Sequence, residues 1–147
     1  MATVTPKPRW HSERGAELIE MVVVLPLLLL VMFGIIDFGF MFQRYVVLTN
    51  AAMEGARVSI LPSYTTTDAQ NRATAYAATG GVPGTVTAVA TQITLNEPGG
   101  GTWPAVQVEV THTYTYEYIG PIITLFGGSF GSVNLRARAI MRRQTPS

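Results

Sequence analysis

From Leu18 to Phe42 only Glu20 and Asp37 are charged among 25 residues, and the stretch "MVVVLPLLLLVMFGII" inside it has no polar side chain. A helix of that length, rising ~1.5 Å per residue, reaches roughly 37 Å and exceeds the ~30 Å hydrocarbon core of a bilayer. A helix that is apolar on every side needs cover on every side, from lipid or from a large amount of protein. A chain of 147 residues offers little protein for that task, so the segment reads as a membrane span. Pro26 lies within it, where a missing N–H and a bulky ring loosen the turn near Met21 and Val22. Membrane helices tolerate such a proline.

Lys7, Arg9 and Arg14 precede the span and only Arg44 follows closely, so the positive-inside rule keeps the N-terminus in the cytoplasm. A cleaved secretory signal would end in small residues, whereas "FGFMFQRY" follows here, so the anchor is expected to persist. This organisation gives a cytoplasmic basic leader over 1–15, a transmembrane helix and stalk over 16–61, and an extracytoplasmic α+β domain over 62–147. The expected location is the cytoplasmic, or inner, membrane, crossed once.

Two acids, Glu17 and Glu20, stand at the leading edge of this apolar run. Acids at a helix N-terminus oppose the positive end of its dipole, worth roughly 0.3 to 1 kcal/mol each, but that leaves Arg14 and Gly15 without a role. A cut between Gly15 and Ala16 would remove the basic leader and make Ala16 a new amino terminus, with Glu20 one helical turn along. In a packed assembly Glu20 would then neutralise the amine of a neighbouring helix.

A glycine, four residues and a glutamate ahead of an apolar stretch resemble the processing site of type IV prepilins, which a membrane aspartyl peptidase cleaves on the cytoplasmic side. The longer segment "RGAELIEMVVVLPLLLLVMFGIIDFGFMFQRYVVLTNAAMEGARVSIL" resembles the TadE-like family, the pilin-like proteins of tight-adherence (Flp) pilus systems. A weaker similarity returns in "ITLFGG" and "LRARAIMRR" near the end. The resemblance implies a pilin-like subunit that takes part in pilus assembly. Its partners would be the membrane, a prepilin peptidase, other pilin-like subunits and assembly proteins. Gly15 and Ala16 would form the processing site, and Glu20 and Asp37 would serve helix contacts in assembly. Met53 stands where the family commonly has a basic residue, and Asp37 where glutamate is frequent.

Beyond the span, "YVVLTNAAMEGARVSIL" is alanine-rich and carries no breaker before Pro62, so the helix should continue outward as a stalk. Asn50, Glu54 and Arg57 share one side of it, as a solvated ion pair or as a subunit contact. In "SYTTTDAQNRATAYAATGG" the spacing of Ala69, Ala73, Tyr76 and Ala77 predicts a short helix, with Asp68 as its cap and Gly80 as its stop. "AVQVEVTHTYTYEY" alternates with period two and is the clearest strand, with Val106 to Tyr118 on one face at even positions. "SVNLRARAIMRR" and "TVTAVATQITL" supply two more strands, and Glu109 or Glu117 is placed to meet Arg136 or Arg138 across the sheet. The fold class is therefore α+β: a long N-terminal transmembrane helix running into a head built from a short helix and a small antiparallel sheet of about three strands.

Composition argues against several other chemistries. There are no cysteines for disulfides, thiolate nucleophiles or sulfur ligands, and two histidines are too few for an ordinary zinc site. A net charge of +1 with dispersed basic residues does not suit nucleic acid. "GGSFG" at 127–131 matches the GxSxG pattern around Ser129, yet a nucleophile elbow needs a following helix, and here a strand follows. His112, the available base, sits in the Val and Tyr row of a strand, where packing explains it better. The glycines of "NEPGGGTW" suit a surface loop beside Trp103. The expectation is a non-enzyme with no cofactor. The rival reading is a permanently anchored extracytoplasmic binding domain that is neither processed nor assembled.

Overall fold

The computed structural model describes residues 10–143. Lys7 and Arg9, on which the expected orientation leans, lie outside that range. Six elements follow in order: helix α1 (Trp10–Ser59), helix α2 (Thr66–Thr79), strand β1 (Val86–Asn96), strand β2 (Thr102–Thr115), helix α3 (Ile119–Leu125) and strand β3 (Ser132–Arg142). The class is α+β, with a long apolar helix leading into a small head.

Helix α1 has 50 residues and continues through Pro26. It carries no amphipathic pattern in its first half and a clear one in its second, where Asp37, Leu48, Ala51, Ala52 and Ala56 are buried. These positions return at helical spacing to one face, and that face is where the head packs.

Helix α2 lies against α1 through small side chains. Ala51, Ala52 and Ala56 of α1 meet Ala69, Ala73 and Ala77 of α2 in one core, all fully buried. Gly55 marks the closest approach: a Cβ there would stand 2.7 Å from the carbonyl oxygen of Ala69 and 3.0 Å from the Ala73 Cβ. The alanine spacing predicts helix α2, and the structure has it, but its cap differs from expectation. Thr65 is the N-cap, and Asp68 sits three residues inside as the other half of a capping box. The Asp68 carboxylate accepts from the Thr65 N–H at 2.8 Å and from its hydroxyl at 2.7 Å. Those hydrogen bonds hold its pKa below the ordinary value. The depressed value means that this contribution to α2 is complete above the usual carboxylate range and is lost as pH falls through the folded-state value. At the other end Gly80 is the C-cap, as expected, and Gly81 takes the left-handed conformation with φ 78°.

The sheet has the order β1-β2-β3 and is antiparallel throughout. Its register aligns Val86, Ala88 and Ala90 of β1 with His112, Val110 and Val108 of β2, and these with Leu135, Ala137 and Ala139 of β3. One face is thus continuous and apolar, and α1 and α2 cover it. The opposite face carries Glu109 between Arg138 at 2.9 Å and Arg136 at 3.4 Å. This is the cross-strand pairing expected for Glu109, worth ~0.2 to 1 kcal/mol per pair. Glu117 goes elsewhere, to Arg44 of α1 at 3.1 Å. The row of even positions holds through Tyr114, which is fully buried, while Tyr116 is half-buried and Tyr118, beyond the strand, is exposed. At the other end Trp103 joins β2, and the Arg142 guanidinium lies 3.1 Å above its ring centroid.

Helix α3 was not legible as a helix in the sequence. It is seven residues long, and its body "IGPIITL" contains glycine, proline and β-branched residues, which argue against helix. Its ends explain it. Pro121 falls in the first turn, where a missing N–H costs nothing. After the last turn Gly127 N–H donates to Thr124 O and Gly128 N–H to Ile123 O, with Gly127 at φ 79°.

Replacing Gly55 with valine should destabilise the head by about 1 to 3 kcal/mol, since the added side chain meets backbone that has no room to yield. Thermal unfolding of the full chain in detergent, followed by circular dichroism, measures this, and an unchanged midpoint would contradict the close approach.

Candidate functional site

Before Phe33 helix α1 stands clear of the head. Its side chains from Ala16 to Leu25 are all exposed, as are Leu27, Leu28, Val31 and Met32. This helix is long and apolar enough to cross a membrane, and it fits a single-pass anchor. Gly15 and Ala16, the expected processing site, lie within the helix, and a Cβ at Gly15 would meet nothing within 4 Å. A glycine there lowers helix stability by about 1 kcal/mol relative to alanine, so this is a cheap position at which to open the helix. Glu20 is exposed on the same uncovered length.

Asp37 is different in kind. It belongs to the apolar run yet is 0% exposed, because the head closes over it. The Tyr114 hydroxyl donates to its Oδ1 at 3.2 Å and to its backbone carbonyl at 3.0 Å. The N–H of Glu117 donates to Oδ1 at 3.2 Å, that of Tyr118 to Oδ2 at 3.1 Å, and that of Ile119 to Oδ2 at 2.7 Å. Every partner is a donor, which suits a carboxylate that only accepts. Its charge is held within its own chain, at the start of α3, and the three successive amides exist in this arrangement only because β2 ends and α3 begins there. Of the expected site residues, Asp37 is therefore the one most fully engaged inside the molecule.

The cage is buttressed by rings and by a second charge pair. The Tyr118 ring stacks on Phe33 at 6.3 Å and on Phe40 at 5.8 Å between centroids. Arg44, two turns beyond Asp37, holds Glu117 at 3.1 Å and lies 4.6 Å from the Tyr114 ring centroid. Burial, with the neighbouring negative charge of Asp37, pushes the Tyr114 phenol up to about 12. A raised folded-state value means that its contribution to stability is complete below the ordinary tyrosine value of ~10 and is lost as pH rises through the folded-state value.

Asn50 and Arg57 are exposed on the stalk, but Glu54 does not pair with Arg57 as the spacing suggested. It bonds Arg72 of α2 at 2.8 Å instead, so the acid ties the two helices together. The wider reach of a tertiary partner wins over the neighbour on the same helix, a contest that spacing along one element leaves out.

Ser129 is exposed in the loop between α3 and β3, and strand β3 follows it, so the helix that a nucleophile elbow requires is absent there. His112 is buried, with Nδ1 3.2 Å from Thr85 O and Nε2 without a partner. No group of three or more His, Asp or Glu that could hold a metal occurs among the described residues.

A family model described as TadE-like protein matches residues 15–57, which is the family that the sequence resembles. The match runs from Gly15 through the apolar run and the Asp37 cage to the packed half of α1. No curated protein matches the chain, and no solved structure does.

Asp37→Asn keeps the shape but sets an NH2 group against donating N–H groups. It should cost about 2 kcal/mol locally, accelerating hydrogen exchange at the amides of residues 117–119 by roughly thirtyfold, and should let Tyr114 titrate closer to the ordinary tyrosine range. Amide exchange by mass spectrometry and ultraviolet titration read these two effects, and wild-type values in both would refute the cage.

Proposed function

We propose that this chain is a membrane-anchored, pilin-like subunit, of minor pilin or pseudopilin type, that takes part in assembling a tight-adherence pilus. The observation that carries the reading is the uncovered half of α1: an apolar cylinder with Gly15 and Ala16 at its base and an exposed Glu20 one turn beyond Ala16. The match to TadE-like proteins over the same residues supports it.

In this reading a prepilin peptidase cuts after Gly15. The leader stays on the cytoplasmic side, the helix crosses the cytoplasmic membrane, and the head lies outside. Ala16 then carries a free amine. Glu20 of one subunit meets that amine on another, and the pair lets both charges leave the membrane surface for a helix bundle. The apolar side chains from Met21 onward exchange lipid for neighbouring helices, a change with little hydrophobic cost because both surroundings are apolar. The head needs no catalytic group for this role. Its Asp37 cage holds the folded domain at a set height on the helix, and Asn50 and Arg57 face outward on the stalk where another subunit would pass.

Intact mass spectrometry of the protein from its native membrane tests the processing step, with a mass beginning at Ala16 expected. An uncut leader would instead favour a permanently anchored binding domain. Glu20→Ala should leave membrane insertion intact and sharply reduce copurification with other pilus subunits; undiminished copurification would remove Glu20 from assembly.

A further inference from the structure

We infer that α3 and the loop after it form an apolar wedge that enters the outer part of the bilayer beside α1, so that this protein holds the membrane through two elements. Leu125 is 83% exposed and Phe126 66%, the most exposed large apolar side chains of the head, and Phe130 in the following loop is exposed as well. No residue from Tyr118 to Leu135 is charged. A patch of this kind on a small head calls for an apolar partner.

The height of α3 on the helix identifies lipid as that partner. A span needs about 20 residues. Counted from Met21, just after Glu20, about that many residues run to Phe40. The head is attached inside this interval: Phe33 stacks on Tyr118, a Cβ at Gly34 would lie 3.5 Å from Ile119 Cδ1, and Asp37 caps the start of α3. The stretch of α1 below the attachment, residues 16–32, rises only ~25 Å, short of the ~30 Å core. Hydrocarbon must therefore extend up to the level of Ile119 at the start of α3, where Ile35, Ile36 and Phe38 of α1 are themselves exposed.

The backbone is prepared for such a setting, because buried N–H and C=O groups need partners where water is scarce. The N–H groups of Glu117, Tyr118 and Ile119 go to Asp37, Pro121 has none, and those of Phe126, Gly127 and Gly128 fold back on Ile123 and Thr124. The Thr124 hydroxyl donates to Pro121 O at 2.7 Å. The first charged pair of the head, Arg44 with Glu117, stands about 10 Å farther along the helix axis than Asp37, at the height where water resumes. The Tyr118 ring, stacked on Phe33 and Phe40, stands at the level of Asp37 and is a residue type suited to the interface.

The inference rests on α1 being a membrane anchor, and one experiment separates the two. The chain has no cysteine, so single cysteines carrying nitroxide labels can be placed at Leu125, Phe126, Leu28 and Thr91 of the full chain in vesicles of phosphatidylethanolamine and phosphatidylglycerol. Labels at Leu125 and Phe126 should behave like Leu28, with oxygen collisions retained and collisions with a water-soluble nickel chelate lost, while Thr91 on the sheet stays open to the chelate. Chelate access at Leu125 and Phe126 with Leu28 still protected would overturn the wedge and leave the anchor standing. Access at Leu28 as well would overturn both. Protection at Leu125 and Phe126 that disappears when the protein is diluted with lipid would assign the patch to a second copy of the chain and overturn the lipid contact.

Discussion

A carboxylate in the middle of an apolar helix is the constraint around which this molecule is arranged. A carboxylate left uncovered on a membrane helix is costly and needs a partner. Here the head removes the problem by supplying one hydroxyl and three amide donors to Asp37. Those donors come from the end of β2 and the start of α3, so the cage decides where the sheet meets the helix. The sheet register then carries the alternating valines of β2 down α1 to Leu48 and the alanine face. Arg44 and Glu117 follow from the same placement, since the residue that caps the corner sits opposite the next turn but one of α1.

The two halves of α1 solve opposite problems. The C-terminal half is lined with alanine and glycine, which lets α2 and the sheet approach closely and builds a head around a single helix. The N-terminal half has large aliphatic side chains on every side and little cover from its own chain. A surface of that kind is stable only in lipid or among other helices, and it can pass from one to the other without exposing apolar area to water. That property sets the uncovered half apart from the packed half, whose alanine face holds the head.

The elements that were legible in the sequence share a physical basis: each has a period or a cap that works locally. The apolar run, the alanine spacing of α2 and the strict alternation of β2 and β3 all survive folding because the same faces that the pattern marks are the ones that pack. The Glu109 pairing with Arg136 and Arg138 was legible for the same reason, as antiparallel register fixes which side chains stand opposite each other. Misreadings arose where a polar group had competing partners. Spacing pairs Glu54 with Arg57 on its own helix, yet it reaches Arg72, and the sequence offers Asp68 as the cap, yet it supports Thr65 in that role. Helix α3 draws its stability from its ends and from Asp37, so no periodic signal runs through it. The proline of its first turn and the paired glycines after it were the available signs.

By itself, the sequence determined that one helix is apolar enough to span a membrane, that Gly15, Glu17 and Glu20 stand at its leading edge, and that an α+β head follows. Hydrophobic period and charge placement suffice for these because they depend on neighbours within a few residues. The partner of Asp37 was decided only by the tertiary structure. The residues that cage it are some 80 positions away in the chain, and backbone amides leave no mark in a sequence. The same is true of where the head meets α1, with Tyr118 and Ile119 beside Phe33 and Gly34, for this depends on how a distant corner of the sheet docks on the helix.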